Sequence, residues 1–311
     1  MYFPYLRGRQ YELLALYELV DAHRLGNHII PIIEPVKLSS TFIKVSNSFI
    51  QNEKELAVIH NPQVGYFSKD LKDDKKNETR EKYEELLKNE LIIKAHILNS
   101  SSHSELSQLE AQGFKKANHI VISNNRDYVD LYSEEFLDVV PRFTLIPDES
   151  VFRRKVKRNR VLLDDRFEKQ IRNTDYSNAD DEPFSDDHLF YSDDGFIGFS
   201  DYSIVGDNYL EAGFAPHAVA LHIVYFTEDK SLRVKHFVSD SNEDITNPAG
   251  KFYEALEKLN SWDMSHEMDT LGLTELLRHF ENETYPGLGT AKKLSMMHHI
   301  ELVGQYLDGV G

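Results

Sequence analysis

Short apolar runs that end in polar residues recur along the first two thirds of the chain, and helix-like segments separate several of them. The clearest is His28–Lys37, HIIPIIEPVK, in which an apolar stretch ends on Glu34 and is closed by Pro35. Because proline cannot continue a central strand, this pattern is typical of a buried parallel strand that presents a polar side chain at a sheet edge. Eight such runs predict strands at residues 29–36, 55–61, 91–98, 119–123, 142–146, 161–165, 196–202 and 218–226.

Helical patterns occupy much of the remaining chain. A short extended lead-in at residues 2–7 precedes an amphipathic helix predicted from Gly8 to Leu25. A turn after residue 226 predicts a hairpin with a further strand at 232–238, and residues 174–195 are acidic, without apolar period, and predict a long loop. Further helices are predicted for a segment that ends near Ile50, for the charged run 69–90, for residues 102–113 and for a segment that ends near Leu137. Three more are predicted in the C-terminal part, at residues 249–262, 270–283 and 290–308.

The alternation of strands and helices determines the predicted fold class. Repeated strand–helix units imply parallel strands with right-handed crossovers, and eight of them favour closure as an α/β, (β/α)₈ TIM-barrel-like fold. An open doubly wound sheet is the alternative, but it usually has a glycine-rich turn after its first strand, where this chain has Pro35–Lys37. We therefore predict a single barrel-like domain over 1–311, with a lead-in and helix at 1–27, barrel strands and hairpin at 28–240, and C-terminal helices at 241–311.

Composition narrows the class of protein. The 311 residues are 41% hydrophobic and 11% aromatic and include no cysteine, which excludes disulfides, thiolate nucleophiles and cysteine zinc sites. Neither a membrane-spanning apolar run nor a secretory signal is present, so we expect a cytoplasmic protein without membrane partners. The formal net charge of −17 makes nucleic acid an unlikely non-specific ligand, because such binding depends on neutralising phosphates.

Polar residues at the strand ends are the first candidate site, since barrel enzymes carry their chemistry there. Lys94 lies inside an apolar strand, and because an unpaired buried charge is costly we expect it to face Glu34, Asp164 or Asp201. These four side chains are the catalytic candidates, as a general acid/base pair or as carboxylates that hold Mg²⁺ or Mn²⁺. An interior salt-bridge network is the structural alternative. The ligand-binding candidates at the same strand ends are His60, Asn61, His96 and Tyr202.

The N-terminal turn is the second candidate site. Tyr5, Arg7 and Arg9 surround a glycine at the start of a predicted helix, where arginines could hold a phosphate or a carboxylate. The alternative is that both arginines pair with surface acids. A basic run at residues 151–160 could contact a nucleic-acid backbone, but its attraction to the acidic loop 175–194 is the simpler explanation.

Two sequence blocks resemble a known family. The opening YFPYLRGRQYELLAL, followed by IIPIIEPV, is similar to the start of the phage-type "beta protein" family, and Ile197–Ser203 resembles that family's G-aspartate-aromatic strand. The resemblance implies an origin in phages or in bacterial mobile and defence gene neighbourhoods, and it brings no established reaction. The matching positions of the first block are Tyr2 or Tyr5, Pro4, Leu6, Arg7, Gly8, Arg9, Gln10, Glu12 and Pro31–Pro35.

Two functional hypotheses follow from these observations. The first is a ligand-binding barrel of a phage-conflict or mobile-element system, which recognises a small or phosphorylated molecule and acts with a protein partner encoded nearby. The second is a barrel hydrolase or phosphoesterase that uses the strand-end carboxylates, with or without a divalent metal. The absence of a recognised nucleophile or metal motif favours the first hypothesis.

Overall fold

The computed structural model describes residues 1–179, 181–211 and 216–309; Asp180, which belongs to the predicted acidic loop, lies outside them. Internal contacts divide the chain into two compact units. The barrel unit comprises residues 1–13, 28–165 and 187–202, and the hairpin unit comprises residues 14–27, 166–186 and 203–311. The expectation of one domain over 1–311 stays a prediction.

The barrel unit is built on eight parallel strands that follow one another around a nearly closed barrel, in the order β1-β2-β3-β4-β5-β6-β7-β9. The predicted (β/α)₈ TIM-barrel-like class is therefore confirmed, and a doubly wound sheet is excluded because neighbouring strands are consecutive in the chain. The strands are β1 Tyr5–Leu6, β2 Ile32–Ile33, β3 Leu56–Ile59, β4 Ile92–Ile97, β5 Ile120–Ile122, β6 Phe143–Ile146, β7 Arg160–Leu163 and β9 Phe199–Ser200; β8, Asp181–Ser185, belongs to the hairpin unit.

The N-terminal segment, predicted as a lead-in, is the strand that closes this barrel. On one side the amide of Phe3 donates to the carbonyl of Phe199 at 2.9 Å and that of Tyr5 to Asp201 at 2.8 Å. On the other side the amide of Ile32 donates to the carbonyl of Pro4 at 2.9 Å. The prediction that residues 218–226 form the eighth barrel strand is wrong, because they pair in a separate sheet.

Side chains alternate between the barrel interior and its outer face along each strand. The interior is apolar and includes Ile93, Ala95 and Ile97 of β4, so that Lys94 and His96 point to the outer face. The other interior residues are Phe3, Tyr5, Ile30, Ile32, Ala57, Ile59, Ile120, Ile122, Phe143, Leu145, Val161, Leu163 and Tyr202.

Helices connect the strands. Ser39 caps α2 through its hydroxyl, which accepts from the amide of Phe42 at 3.2 Å. The predicted solvated helix in the charged run is confirmed by α4, whose Lys82 pairs with Glu78 one turn away. The helices before residue 200 are α1 Gln10–Asp21, α2 Ser40–Gln51, α3 Phe67–Asp70, α4 Asn77–Leu86, α5 Ser102–Ala111, α6 Val129–Glu135, α7 Ser150–Lys155 and α8 Asp187–Phe190, with 3₁₀ turns at Asp74–Lys76, Lys116–Asn118, Arg126–Tyr128 and Asn173–Asn178.

The hairpin unit contains an antiparallel sheet in the order β10-β11-β8, where β10 is Ala220–Phe226 and β11 is Leu232–Val238. The predicted hairpin is confirmed. The prediction of a structureless loop over 174–195 is wrong, because β8 pairs with β11 as an edge strand that tolerates Pro183. The remaining helices are α9 Pro248–Asn260, α10 Leu271–Glu281 and α11 Leu288–Leu307, with 3₁₀ turns at Ser203–Val205 and Asp263–His266.

Among the described residues, none of the helices combines the length and apolar character needed to span a bilayer.

Candidate functional site

Glu34 is the centre of a buried polar network at the carboxyl ends of β1 and β2. Its side chain has no exposed surface. Its Oε2 accepts a hydrogen bond from the Tyr5 hydroxyl at 2.7 Å and forms an ion pair with the Arg7 guanidinium. Its Oε1 accepts from the backbone amide of Gln63 at 2.7 Å. Both carboxylate oxygens are thus occupied, by three donors from two segments of the chain.

The Arg7 guanidinium lies against two aromatic rings. Its Cζ is 5.1 Å from the ring centroid of Tyr5 and 5.2 Å from that of Tyr202. Both distances are in the range of cation–π attraction. The two ring centroids are 4.8 Å apart, so the tyrosines pack against each other and the guanidinium lies beside both rings. The Arg7 side chain is 13% exposed, whereas the Glu34 side chain has no exposed surface. Arg7 is therefore the member of the pair that solvent reaches.

The electrostatics of this network keep each group in a defined state. Burial raises the pKa of Tyr5 well above its usual value, and the nearby Glu34 and Tyr202 raise it further while Arg7 acts against them. Burial works to lower the pKa of Arg7, but Tyr5, Glu34 and Tyr202 outweigh it and raise this pKa. Tyr5 is therefore a neutral donor and Arg7 a permanent cation. We call Tyr5, Arg7, Glu34 and Tyr202 the mouth cluster.

Two glycines bring the segments of this site together. Gly8, at φ +64°, turns the chain directly after Arg7, and a Cβ there would lie 3.0 Å from Ile33 Cγ2. Gly65, at φ +71°, lets the loop that carries Gln63 approach β2 so closely that a Cβ would lie 2.3 Å from the Val36 carbonyl oxygen. Sequence reasoning missed the contact of Gln63 with Glu34, because a backbone amide donor leaves no residue-specific signal.

Asp201 and Asp164 do not join the mouth cluster. Asp201 precedes the inward-facing Tyr202, so it points to the outer face of the barrel, where it is 3% exposed and accepts from the Tyr2 hydroxyl at 2.7 Å. Burial and the Asp201 carboxylate raise the pKa of Tyr2 well above its usual value. Asp164 is exposed, and its backbone amide donates to the carbonyl of Ser200 at 3.1 Å.

Lys94 lies on the outer face of β4, and the expectation that it faces Glu34, Asp164 or Asp201 is wrong. Its Nζ donates to the Leu87 carbonyl at the end of α4 and lies 3.7 Å from the ring centroid of Phe114. Burial lowers its pKa to about 8. The four predicted catalytic residues therefore do not converge.

His60, Asn61 and His96 form a second polar group, where β3, β4 and α5 meet. His96 Nδ1 is 2.8 Å from His60 Nε2, and its Nε2 is 2.8 Å from the Ser102 hydroxyl oxygen. The Asn61 amide bridges to the backbone of Ile97, donating to its carbonyl at 2.9 Å and accepting from its amide at 2.9 Å. Burial, together with nearby histidines, lowers the pKa of His60 to about 3 and that of His96 to about 2. This group is uncharged and ties strands to a helix.

The remaining basic candidates are engaged with acids or carbonyl groups. Arg9 pairs with Glu12 in the first turn of α1 at 3.7 Å. In the basic run, Arg153 pairs with Asp148 at 2.7 Å and Arg160 donates to the Gly195 carbonyl at 2.7 Å. The acidic loop meets the run through the backbone carbonyls of Asp194 and Gly195.

A divalent metal has no matching donor set at the predicted position. In the parts of the chain that the structure describes, no cluster of three or more His, Asp or Glu side chains could hold a metal ion. Glu34 in particular already accepts hydrogen bonds on both oxygens. The predicted Mg²⁺ or Mn²⁺ therefore does not fit the mouth cluster.

Comparisons with protein-family models, with curated proteins and with solved structures found no significant match to this chain.

Proposed function

We propose that the barrel unit binds a small anionic ligand at the carboxyl end of its strands, with Arg7 as the anchor. The observation that carries this proposal is the position of the Arg7 guanidinium, held against the rings of Tyr5 and Tyr202 and paired with the buried Glu34. A cation whose orientation is already fixed loses little conformational entropy when a ligand binds. In parallel (β/α)₈ barrels, this end of the strands is where ligands and substrates bind, which supports the proposal by analogy of fold.

The chemistry of the site defines the ligand class. Guanidinium groups recognise carboxylates and phosphates through paired hydrogen bonds, and Arg7 reaches solvent beside the Tyr202 ring. Because Glu34 balances the charge of Arg7, the affinity depends on hydrogen-bond geometry and ring contacts more than on net charge. A small carboxylate or phosphorylated molecule with a planar portion fits this arrangement.

Binding is favoured over hydrolysis by the state of the carboxylates. A general base needs a lone pair directed at its substrate, and both Glu34 oxygens accept protein donors instead. Asp201 is oriented to the outer face and hydrogen-bonded to Tyr2, and Lys94 lies near Leu87 and Phe114. The alternative of a metal-dependent hydrolase or phosphoesterase therefore has less support.

The sequence blocks that resemble the phage-type beta proteins support a proposal about the biological setting of this protein. In this setting the protein is cytoplasmic, belongs to a phage-conflict or mobile-element system, and acts with a protein partner encoded nearby. The net charge of −17 makes general nucleic-acid binding unlikely. Co-elution with the neighbouring gene product in size-exclusion chromatography tests the partner, and persistent monomer mass would count against it.

Thermal unfolding with a ligand panel tests the binding site. We expect one carboxylate or phosphorylated compound to raise the midpoint, because a ligand at 100 times its Kd stabilises the folded state by about 2.7 kcal/mol. The shift should be lost in Arg7→Lys, whose ammonium cannot reproduce the guanidinium fork. Arg153→Lys is the matched control, since Arg153 also pairs with a carboxylate and lies 5.2 Å from a ring, that of Phe196. Equal shifts in wild type and Arg7→Lys would refute the assignment.

A further inference from the structure

A cavity lies at the amino-terminal end of the barrel strands, opposite the end that carries the mouth cluster. It encloses about 780 Å³ between the segments that lead into β3, β4, β5 and β6. Its wall combines apolar and basic side chains, and those used below are Leu87, Ile92, Lys94, Phe114, His119 and Arg142. All of them belong to the barrel unit.

Lys94 is a buried cation of this cavity without a carboxylate partner among the described residues. It is 9% exposed, and its Nζ donates to the Leu87 carbonyl and lies 3.7 Å from the Phe114 ring centroid. The carbonyl and the ring compensate part of the lost hydration, but an ammonium has three donors and carries a full charge. Capping of α4 accounts for one donor and leaves the charge unbalanced.

His119 adds an independent observation. Its side chain is 1% exposed, yet neither ring nitrogen has a hydrogen-bond partner among the residues described here. Burial lowers the pKa of His119, the carbonyls of Lys115 and Lys116 act against this, and the Lys94 ammonium lowers the pKa further. The imidazole is thus neutral and lines the cavity close to Lys94, and neither of its ring nitrogens makes a hydrogen bond of normal geometry to a described residue. Buried polar groups of this kind normally have partners.

The charges around the cavity favour an anion. Arg142 makes two hydrogen bonds to Glu55, at 2.7 and 2.8 Å, so the charges of these two residues neutralise each other. Two more lysines line the cavity, Lys115 and the exposed Lys88, which pairs with Glu85. The other acidic residue of the lining is Glu90. A local excess of positive charge in a chain of net charge −17 selects an anionic ligand.

We propose that this cavity binds a small organic anion, with its oxyanion head between Lys94 and His119 and its apolar body against Phe114, Leu87 and Ile92. The head supplies the carboxylate or phosphate oxygens that Lys94 and His119 lack, and the ring and aliphatic side chains cover the rest of the ligand. This site does not depend on Arg7 or on the function proposed for the mouth cluster.

Fluorine NMR with 4-fluorobenzoate as the probe tests the proposal on the full chain. We expect saturable binding to the wild type that weakens by about tenfold or more in Lys94→Met and in His119→Phe, since each loses a hydrogen bond to a charged head. Lys88→Met removes the same charge at the rim and should change the Kd less than twofold, or about 0.4 kcal/mol. Inorganic phosphate as competitor shows whether the oxyanion alone is sufficient or the apolar body is required.

Either of two results would overturn the proposal: no saturable binding to the wild type, or equal weakening in Lys94→Met and Lys88→Met. Amine labelling keeps the test decisive if a cavity variant fails to fold. In the wild type, reductive methylation followed by peptide mass spectrometry should show Lys94 protected by 4-fluorobenzoate while Lys88 is not. Unchanged labelling of Lys94 would contradict the site. Arg7→Lys should leave these results unchanged, which separates this cavity from the mouth cluster.

Discussion

Replacing Glu34 with Gln perturbs the mouth cluster at its most buried point. The change keeps the size of the side chain but removes its charge and one acceptor oxygen. If the amide oxygen takes the position of Oε1, the amide nitrogen faces the Arg7 guanidinium; if it takes that of Oε2, the nitrogen faces the amide of Gln63. Both orientations place a donor against a donor, so neither rotamer restores the network.

The expected cost follows from the burial of the pair. Glu34 has no exposed surface and Arg7 retains 13% of its own, so the remaining cation is poorly hydrated. Removing one partner of a buried ion pair costs about 3–5 kcal/mol, and an unsatisfied buried donor alone costs about 1–3 kcal/mol. We therefore expect Glu34→Gln to lower the free energy of unfolding of the barrel unit by about 3–5 kcal/mol.

Hydrogen exchange in a urea series, followed by mass spectrometry on peptides that contain β2 and β3, measures this free energy for the barrel unit. Glu85→Gln is the matched control, because Glu85 is 73% exposed and pairs with Lys88 on the surface. That change should stay within about 0.5 kcal/mol of wild type. A Glu34→Gln variant as stable as Glu85→Gln would refute the reasoning, because it would mean that water reaches the pair.

Three further predictions concern other positions. Gly65→Ala should destabilise by at least about 2 kcal/mol in urea unfolding, because φ is +71° and its Cβ would meet backbone, whereas Gly113→Ala, at φ +90° with open space, should cost only about 1 kcal/mol. Tyr2→Phe should cost about 1–2 kcal/mol, since Asp201 loses a donor in a buried setting; no loss would contradict that hydrogen bond. The pKa of His96, lowered to about 2, means that the unfolded chain takes up a proton near pH 6.5 that the folded chain does not. The free energy of unfolding should therefore decrease as the pH is lowered below 6.5. His96→Gln should reduce the slope of this free energy against pH, between pH 6 and 5, by about 1.4 kcal/mol per pH unit. An unchanged slope would contradict this prediction.

The sequence predicted seven of the eight barrel strands, because each is a compact apolar run. It missed β1, which has two residues next to Pro4 and carries too little pattern to be recognised. Its neighbours lie far away in the chain, as the bridge from Tyr2 to Phe199 illustrates. The apolar run 218–226 was assigned to the barrel in its place, because alternation does not reveal which sheet a strand joins.

The site residues illustrate the same limit. Lys94 and His96 share the outer face of β4, but all six residues of this strand are buried, so the sequence pattern could not distinguish the interior from the outer face. Arg7 and Glu34 were assigned to different sites, although the structure pairs them. Only the closure of the barrel by β1 places them together, and that contact is not encoded locally.

A crystal structure of the protein with the panel compound that stabilises it most tests the central claim directly. The account predicts the carboxylate or phosphate group in hydrogen-bond contact with the Arg7 guanidinium and beside the Tyr202 ring, with the Arg7–Glu34 pair intact. A ligand bound elsewhere, with the mouth cluster unchanged and empty, would contradict it.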